Sequence, residues 1–134
     1  MYKNTVPLIY PQQLNHSKLK EVVLLDTRSK AEFDVSHIQG ATFIDYETFN
    51  PSYVEGLDRN ADIVVYCAVG YRSERIGEKL LEMGFANVHN LYGGIVQWSN
   101  VNKPVINKKD LPTDSVHTGT REWSVWLTHG IKVY

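Results

Sequence analysis

The chain has 134 residues, 43% of them hydrophobic, which is enough for one domain with its own core. Its 14 basic and 15 acidic residues nearly cancel, and no block of like charge forms a nucleic-acid stripe or a polybasic membrane segment, so neither a nucleic-acid nor a membrane partner is expected. The opening stretch lacks a basic segment followed by a long apolar one, and no apolar run is long enough to span a bilayer, which sets a cytoplasmic location as the expectation.

Apolar and β-branched runs alternate with helical stretches, the pattern of an α/β domain with a mostly parallel central sheet and helices on both faces. "VPLIY" at 6–10 is a first strand, placed at a sheet edge by Pro7. Pro11 suits the first turn of a short helix through 11–19. "VVLLD" at 22–26 is a nearly continuous apolar run, as in a strand buried on both faces. A polar helix from Ser29 to about Val35 follows, with Ser29 and Glu32 spaced as a capping box.

"ATFID" reads as a short strand, and 45–60, with Pro51 and Gly56, as loop holding one helical turn. "DIVVY" at 62–66 is the clearest strand and "SERIGEKLLEMGF" at 73–85 the clearest helix. That helix has Ile76, Leu80, Leu81 and Met83 on one stripe and Gly84 as its stop. "VHNLY" supplies the last strand and "GGIVQWSN" a short helix. Residues 1–103 thus form the domain. Residues 104–134 form a C-terminal extension, in which Trp123, Trp126 and Leu127 share one helical face that packs on the domain or at a homodimer contact.

The single cysteine, Cys67, excludes an internal disulfide, a cysteine-based zinc site and a CxxC redox pair. It stands where "DIVVY" ends and a helix begins. Ligands of parallel sheets collect there, because the next helix presents unpaired backbone N–H groups. Gly70 lets a short loop curl so that several amides face one atom. Those amides, the helix dipole and Arg72 together favour a thiolate over a thiol.

At this point the chain resembles the rhodanese family, sulfurtransferases whose active cysteine opens a six-residue loop between a strand and a helix. "CAVGYR" followed by Ser73 fits that loop. "LLDTRSKAEFDVSHIQGATFI" is similar to the family's upstream signature and "NLYGGIVQW" to its downstream one. Where the family commonly has glycine before the His-Ile pair, this chain has Ser36.

The resemblance implies a Cys67 thiolate that takes sulfur from a small anionic donor of the thiosulfate type and passes it, as a persulfide, to a thiol or to cyanide. Arg72 would bind the donor through its fork of N–H groups, with Ala68, Val69, Gly70, Tyr71 and Ser73 lining the donor site. Asp26, Arg28 and His37 are supporting residues: the first two brace loops together with Glu32, and His37 is structural. No metal or other cofactor is expected, and the remaining histidines have no metal-ligand spacing. Tyr92, Gly93 and Gly94 are assigned to close packing, Trp98 to the core.

Two other functions compete. Related folds of the dual-specificity phosphatase group use a loop one residue longer. The four residues between Cys67 and Arg72 leave a ring that suits a sulfur atom better than a tetrahedral phosphate, and an arsenate reductase meets the same objection. A non-catalytic binding module is the second alternative, and the intact cysteine loop argues against it.

Overall fold

The computed structural model describes residues 4–134. Five strands form one parallel sheet: β1 (Leu8–Ile9), β2 (Val23–Asp26), β3 (Thr42–Phe43), β4 (Asp62–Tyr66) and β5 (Asn87–Leu91), in the order β1-β5-β4-β2-β3. The Pro7 strand lies at an edge, as its missing N–H requires. Period-two alternation sends successive residues of β4 to opposite faces. Ile63 and Val65 join Leu25, Ile76, Leu80 and Phe85 on one side, while Val64 and Tyr66 join Leu24, Leu14, Ile95 and Trp98 on the other. Both faces are covered, and for that reason the strands read as continuous apolar runs.

The helices are α1 (His16–Leu19), α2 (Lys30–Val35), α3 (Tyr71–Glu82) and α4 (Gly94–Asn100). The single helix expected over 11–19 is instead a 3-10 turn at Pro11–Gln13 followed by α1, because the Asn15 side chain accepts from Lys18 N and starts a new helix. The capping box of α2 forms as spaced: Ser29 accepts from Glu32 N and Glu32 reaches back to Ser29 N. Ser36, where the family favours glycine, has φ −166°, extended backbone that any residue adopts. The substitution therefore carries no strain.

α3 starts at Tyr71, two residues before the expected Ser73, since Gly70 at φ +106° ends the loop and serves as its N-cap. Tyr71 and Arg72 consequently belong to the helix and not to the loop. The 45–60 segment carries one 3-10 turn, Pro51–Tyr53.

After α4 the chain makes an antiparallel pair, β6 (Val105–Ile106) with β7 (Pro112–Thr113), and a parallel pair, β8 (Ser115–His117) with β9 (Ile131–Val133). β8 lies against α2 and α4, and Val105, Val116 and Leu127 enter the apolar cluster on the α4 side of the sheet. The expected helical face of Trp123, Trp126 and Leu127 is divided. Residues 122–126 form a 3-10 turn, and Leu127, already extended, is buried, whereas Trp126 is 45% exposed. Among the described residues no helix is long and apolar enough to cross a membrane.

Candidate functional site

Cys67 follows directly on β4, at the carboxyl end of the sheet, and Cys67, Ala68, Val69 and Gly70 are all buried. The backbone of this turn is held from two sides. Ile95 N donates to Cys67 O at 3.0 Å and Val96 N to Ala68 O at 3.1 Å, so the first turn of α4 draws both carbonyls away from the sulfur. On the sulfur side Gly70 N donates to Cys67 Sγ at 3.0 Å, and α3 begins at the next residue with its positive end toward the loop. One backbone donor, Gly70 N, is thus aimed at Sγ while the Cys67 and Ala68 carbonyls are taken up by α4.

Gly94 makes the α4 contact feasible. A Cβ there would lie 2.4 Å from both Cys67 O and Ala68 O. Its assignment to close packing therefore applies to the cysteine loop itself.

Ser73 Oγ lies 3.4 Å from Sγ and donates to Asn90 Oδ1 at 2.6 Å, while Asn90 Nδ2 donates to Gly70 O at 3.0 Å. Asn90 is fully buried in β5, and the sequence reading passed over it. The available signal was a polar side chain inside the otherwise buried stretch "VHNLY", where burial demands partners.

The Arg72 fork, expected to grip an anionic donor, is closed on Glu32 by two bonds of 2.8 and 2.7 Å. A carboxylate with bidentate geometry, itself fixed by the α2 capping box, holds it in place. Arg72 keeps its electrostatic interaction with Cys67, and the ring of Trp123 lies 5.8 Å from its guanidinium carbon. Burial lowers the Arg72 pKa, but the Glu32 hydrogen bonds and the charges of Cys67 and Glu32 outweigh that and raise it, so the residue stays cationic. His117, from β8, joins this cluster: burial lowers its pKa, and the charges of Arg28 and Arg72 add to that against the opposing charge of Glu32.

Burial alone would raise the Glu32 pKa, yet its hydrogen bonds and the charges of Arg72 and Arg28 leave it below the ordinary 4.5. The folded-state pKa is depressed, so the ionised form stabilises the fold fully above that ordinary value. The stabilisation is lost as pH falls toward the lower folded value. In urea unfolding at a series of pH values, Glu32→Gln is expected to be less stable than the wild type above about pH 4.5. The gap should narrow as the solution is made more acid. A gap independent of pH would refute the assignment.

Asp26 and Arg28 form a fully buried pair beneath the site. Arg28 Nε and Nη2 donate to the two Asp26 oxygens at 2.9 and 2.6 Å, and Nη2 also donates to Ser36 O at 2.6 Å. His37 stacks on Phe33 with ring centroids 3.9 Å apart, places Nδ1 3.1 Å from Phe33 O, and exchanges two backbone bonds with Ile106. These three residues tie β2, α2 and β6 together. Tyr71 is 39% exposed, with the Arg75 guanidinium 5.7 Å from its ring centroid.

A cleft of about 430 Å³ borders the loop at Val69 and is walled by Tyr92, Gly93, Gln97 and Trp126. No group of three or more His, Cys, Asp or Glu side chains able to hold a metal occurs among the described residues.

A family model described as "Rhodanese-like domain" matches residues 11–101. Among curated proteins, relatives named tRNA uridine(34) hydroxylase include one from Chlamydia pneumoniae, 36% identical over 67% of this chain and 30% of that protein. Another, from Pectobacterium carotovorum, is 36% identical over 59% of this chain and 24% of its own length. The chain therefore spans less than a third of these relatives.

Among solved structures, a rhodanese-related protein from Thermoplasma volcanium superposes with a TM-score of 0.67 at 27% identity, covering 75% of this chain and 97% of the other. A thiosulfate sulfurtransferase from Pseudomonas aeruginosa shares the fold, with a TM-score of 0.68 at 22% identity over 79% of this chain and 21% of that one.

The exclusion of nucleic acid as a partner is overturned by the curated relatives, whose name gives tRNA as what they act on. The exclusion rested on a near-zero sum of charges and on the lack of a block of like charge along the sequence. A sum over the whole chain says little about any one surface, and RNA can be met through stacking and shape as well as through charge.

Proposed function

Because this chain belongs to the rhodanese-like family, we propose that it is a sulfur carrier in which Cys67 is the nucleophile and the donor site is the turn Ala68, Val69 and Gly70 together with the start of α3, Tyr71, Arg72 and Ser73. The observation that carries this is the placement of Cys67 Sγ at the carboxyl end of β4, accepting from Gly70 N, with the carbonyls of the turn bonded to α4. The Cys67 thiolate attacks the outer sulfur of a thiosulfate-like donor; that S–S bond breaks and sulfite departs with the electron pair. The acceptor, a thiolate or cyanide, then attacks the outer sulfur of the persulfide, and Cys67 leaves as thiolate.

Arg72 serves the donor by its charge, since its fork is engaged. The cleft at Val69 is the approach. Intact mass after thiosulfate treatment and desalting without reductant tests the proposal: the wild type should gain one sulfur atom, lose it again on adding cyanide, and Cys67→Ser should gain none. A wild type that stays unmodified with a panel of persulfide donors sinks it.

The relatives' name supports a second reading, in which the same cysteine loop serves a tRNA-modifying reaction. Nucleoside analysis of tRNA incubated with the wild type and with Cys67→Ser tests it, and a uridine product that depends on Cys67 would favour it.

A further inference from the structure

The geometry points to Asn90 as a positioning residue that governs Cys67 through the Ser73 hydroxyl, a role that refines the sulfur-carrier proposal and rests on it. The orientation of the Asn90 amide is forced, because Nδ2 donates to Gly70 O and only Oδ1 remains for Ser73. Oδ1 can only accept. The single Ser73 hydroxyl proton therefore lies on the 2.6 Å line to Asn90, and Oγ turns a lone pair toward Cys67 Sγ at 3.4 Å.

In that state Ser73 can accept from the Cys67 thiol but has nothing to give a thiolate. For a negative sulfur the hydroxyl must swing from Asn90 to Sγ, leaving the buried Oδ1 without that donor. Asn90 thus holds the hydroxyl in the arrangement that offers Sγ no proton. Its own position is fixed by the sheet, since Asn90 N donates to Pro7 O at 2.8 Å and the residue lies opposite Val65 of β4. One rotor between two acceptors links β5 to the sulfur.

The test is the alkylation rate of Cys67 by iodoacetamide at mildly acidic pH, where a free thiol is mostly protonated. Alkylation forms a C–S bond from the thiolate and expels iodide, with the thiol proton passing to buffer, so it reads the cysteine directly without requiring sulfur transfer. Asn90→Ala frees the Ser73 hydroxyl and is expected to raise the rate about tenfold, the size of one hydrogen bond to a charged group. In a Ser73→Ala background the same substitution should change nothing.

A loop merely loosened by loss of the Gly70 contact would speed alkylation equally in both backgrounds, and that outcome overturns the proposal, as does an unchanged or slower rate in Asn90→Ala. If Asn90→Ala does not fold, NMR of the Asn90 side-chain carbonyl carbon decides. It should move as Cys67 ionises in the wild type and stay in place in Ser73→Ala; equal movement in both overturns the role. Sulfur loading can fail while this cycle holds, which separates the two proposals.

Discussion

Asp26→Asn is expected to lower the unfolding free energy by about 3–5 kcal/mol, the cost of stranding a buried charge. Arg28 is completely buried, and although burial lowers its pKa, the charge and hydrogen bonds of Asp26 raise it well above the ordinary value, so it cannot shed its proton. Asparagine keeps the shape of Asp26 and one acceptor oxygen, which removes the charge without opening a cavity. The loss is a large share of the ~5–15 kcal/mol that stabilises a typical domain.

Denaturant midpoints measure it directly, and the double variant Asp26→Asn with Arg28→Met should recover much of the loss because neither charge is then left alone. A single-variant loss below about 1 kcal/mol, the scale of an exposed ion pair, would mean that the pair contributes little.

Gly94→Ala is the second large effect. The added Cβ would meet Cys67 O and Ala68 O at 2.4 Å and Ala68 C at 2.6 Å, all backbone, and φ is +59°, a region that L side chains rarely adopt. The carbonyls cannot yield without giving up their bonds from Ile95 and Val96. We expect a loss of about 4 kcal/mol or more, at the upper end of single-substitution effects, with the cysteine loop displaced.

Gly84→Ala is the control. It has φ +95° but nothing within 4 Å of the new Cβ, so only the backbone cost of roughly 1–2 kcal/mol applies. Equal thermal shifts for the two variants would show that the Gly94 contact is dispensable.

What was legible in the sequence was local. The capping box at Ser29 and Glu32, the edge placement of the Pro7 strand, the buried runs of β2 and β4 and the turn that opens with Cys67 all depend on neighbours within a few residues, where propensity and periodicity operate. What escaped is long-range. The closure of Arg72 on Glu32 joins residues 40 apart, and the Asn90 contacts with Ser73 and Gly70 exist only because β5 lies beside β4 in the sheet.

The spacing of Arg72 from Cys67 announced a cation near the sulfur but could not say that a carboxylate already holds its fork. Gly70 was legible as a turn residue, yet its second task as N-cap moved the start of α3 by two positions. The aromatic run near the C-terminus gave a helical period of the wrong kind, because a 3-10 turn and an α-helix place residues 123 and 126 on a shared side almost equally well.

The attachment of the Cys67 and Ala68 carbonyls to α4 bears on how fast chemistry at the sulfur can go. A reaction that changes the charge of an atom must ordinarily wait for, and work against, the reorientation of surrounding dipoles. Here the peptide planes beside Sγ are pinned by bonds on their far side, and the donor from Gly70 is already aimed. Of the groups beside Sγ, the Ser73 hydroxyl is the one free to turn between two acceptors. In the proposed sulfur transfer, the outgoing and returning charge on the sulfur would then meet nearly the same environment, so that neither half would be slowed by the relaxation of the other.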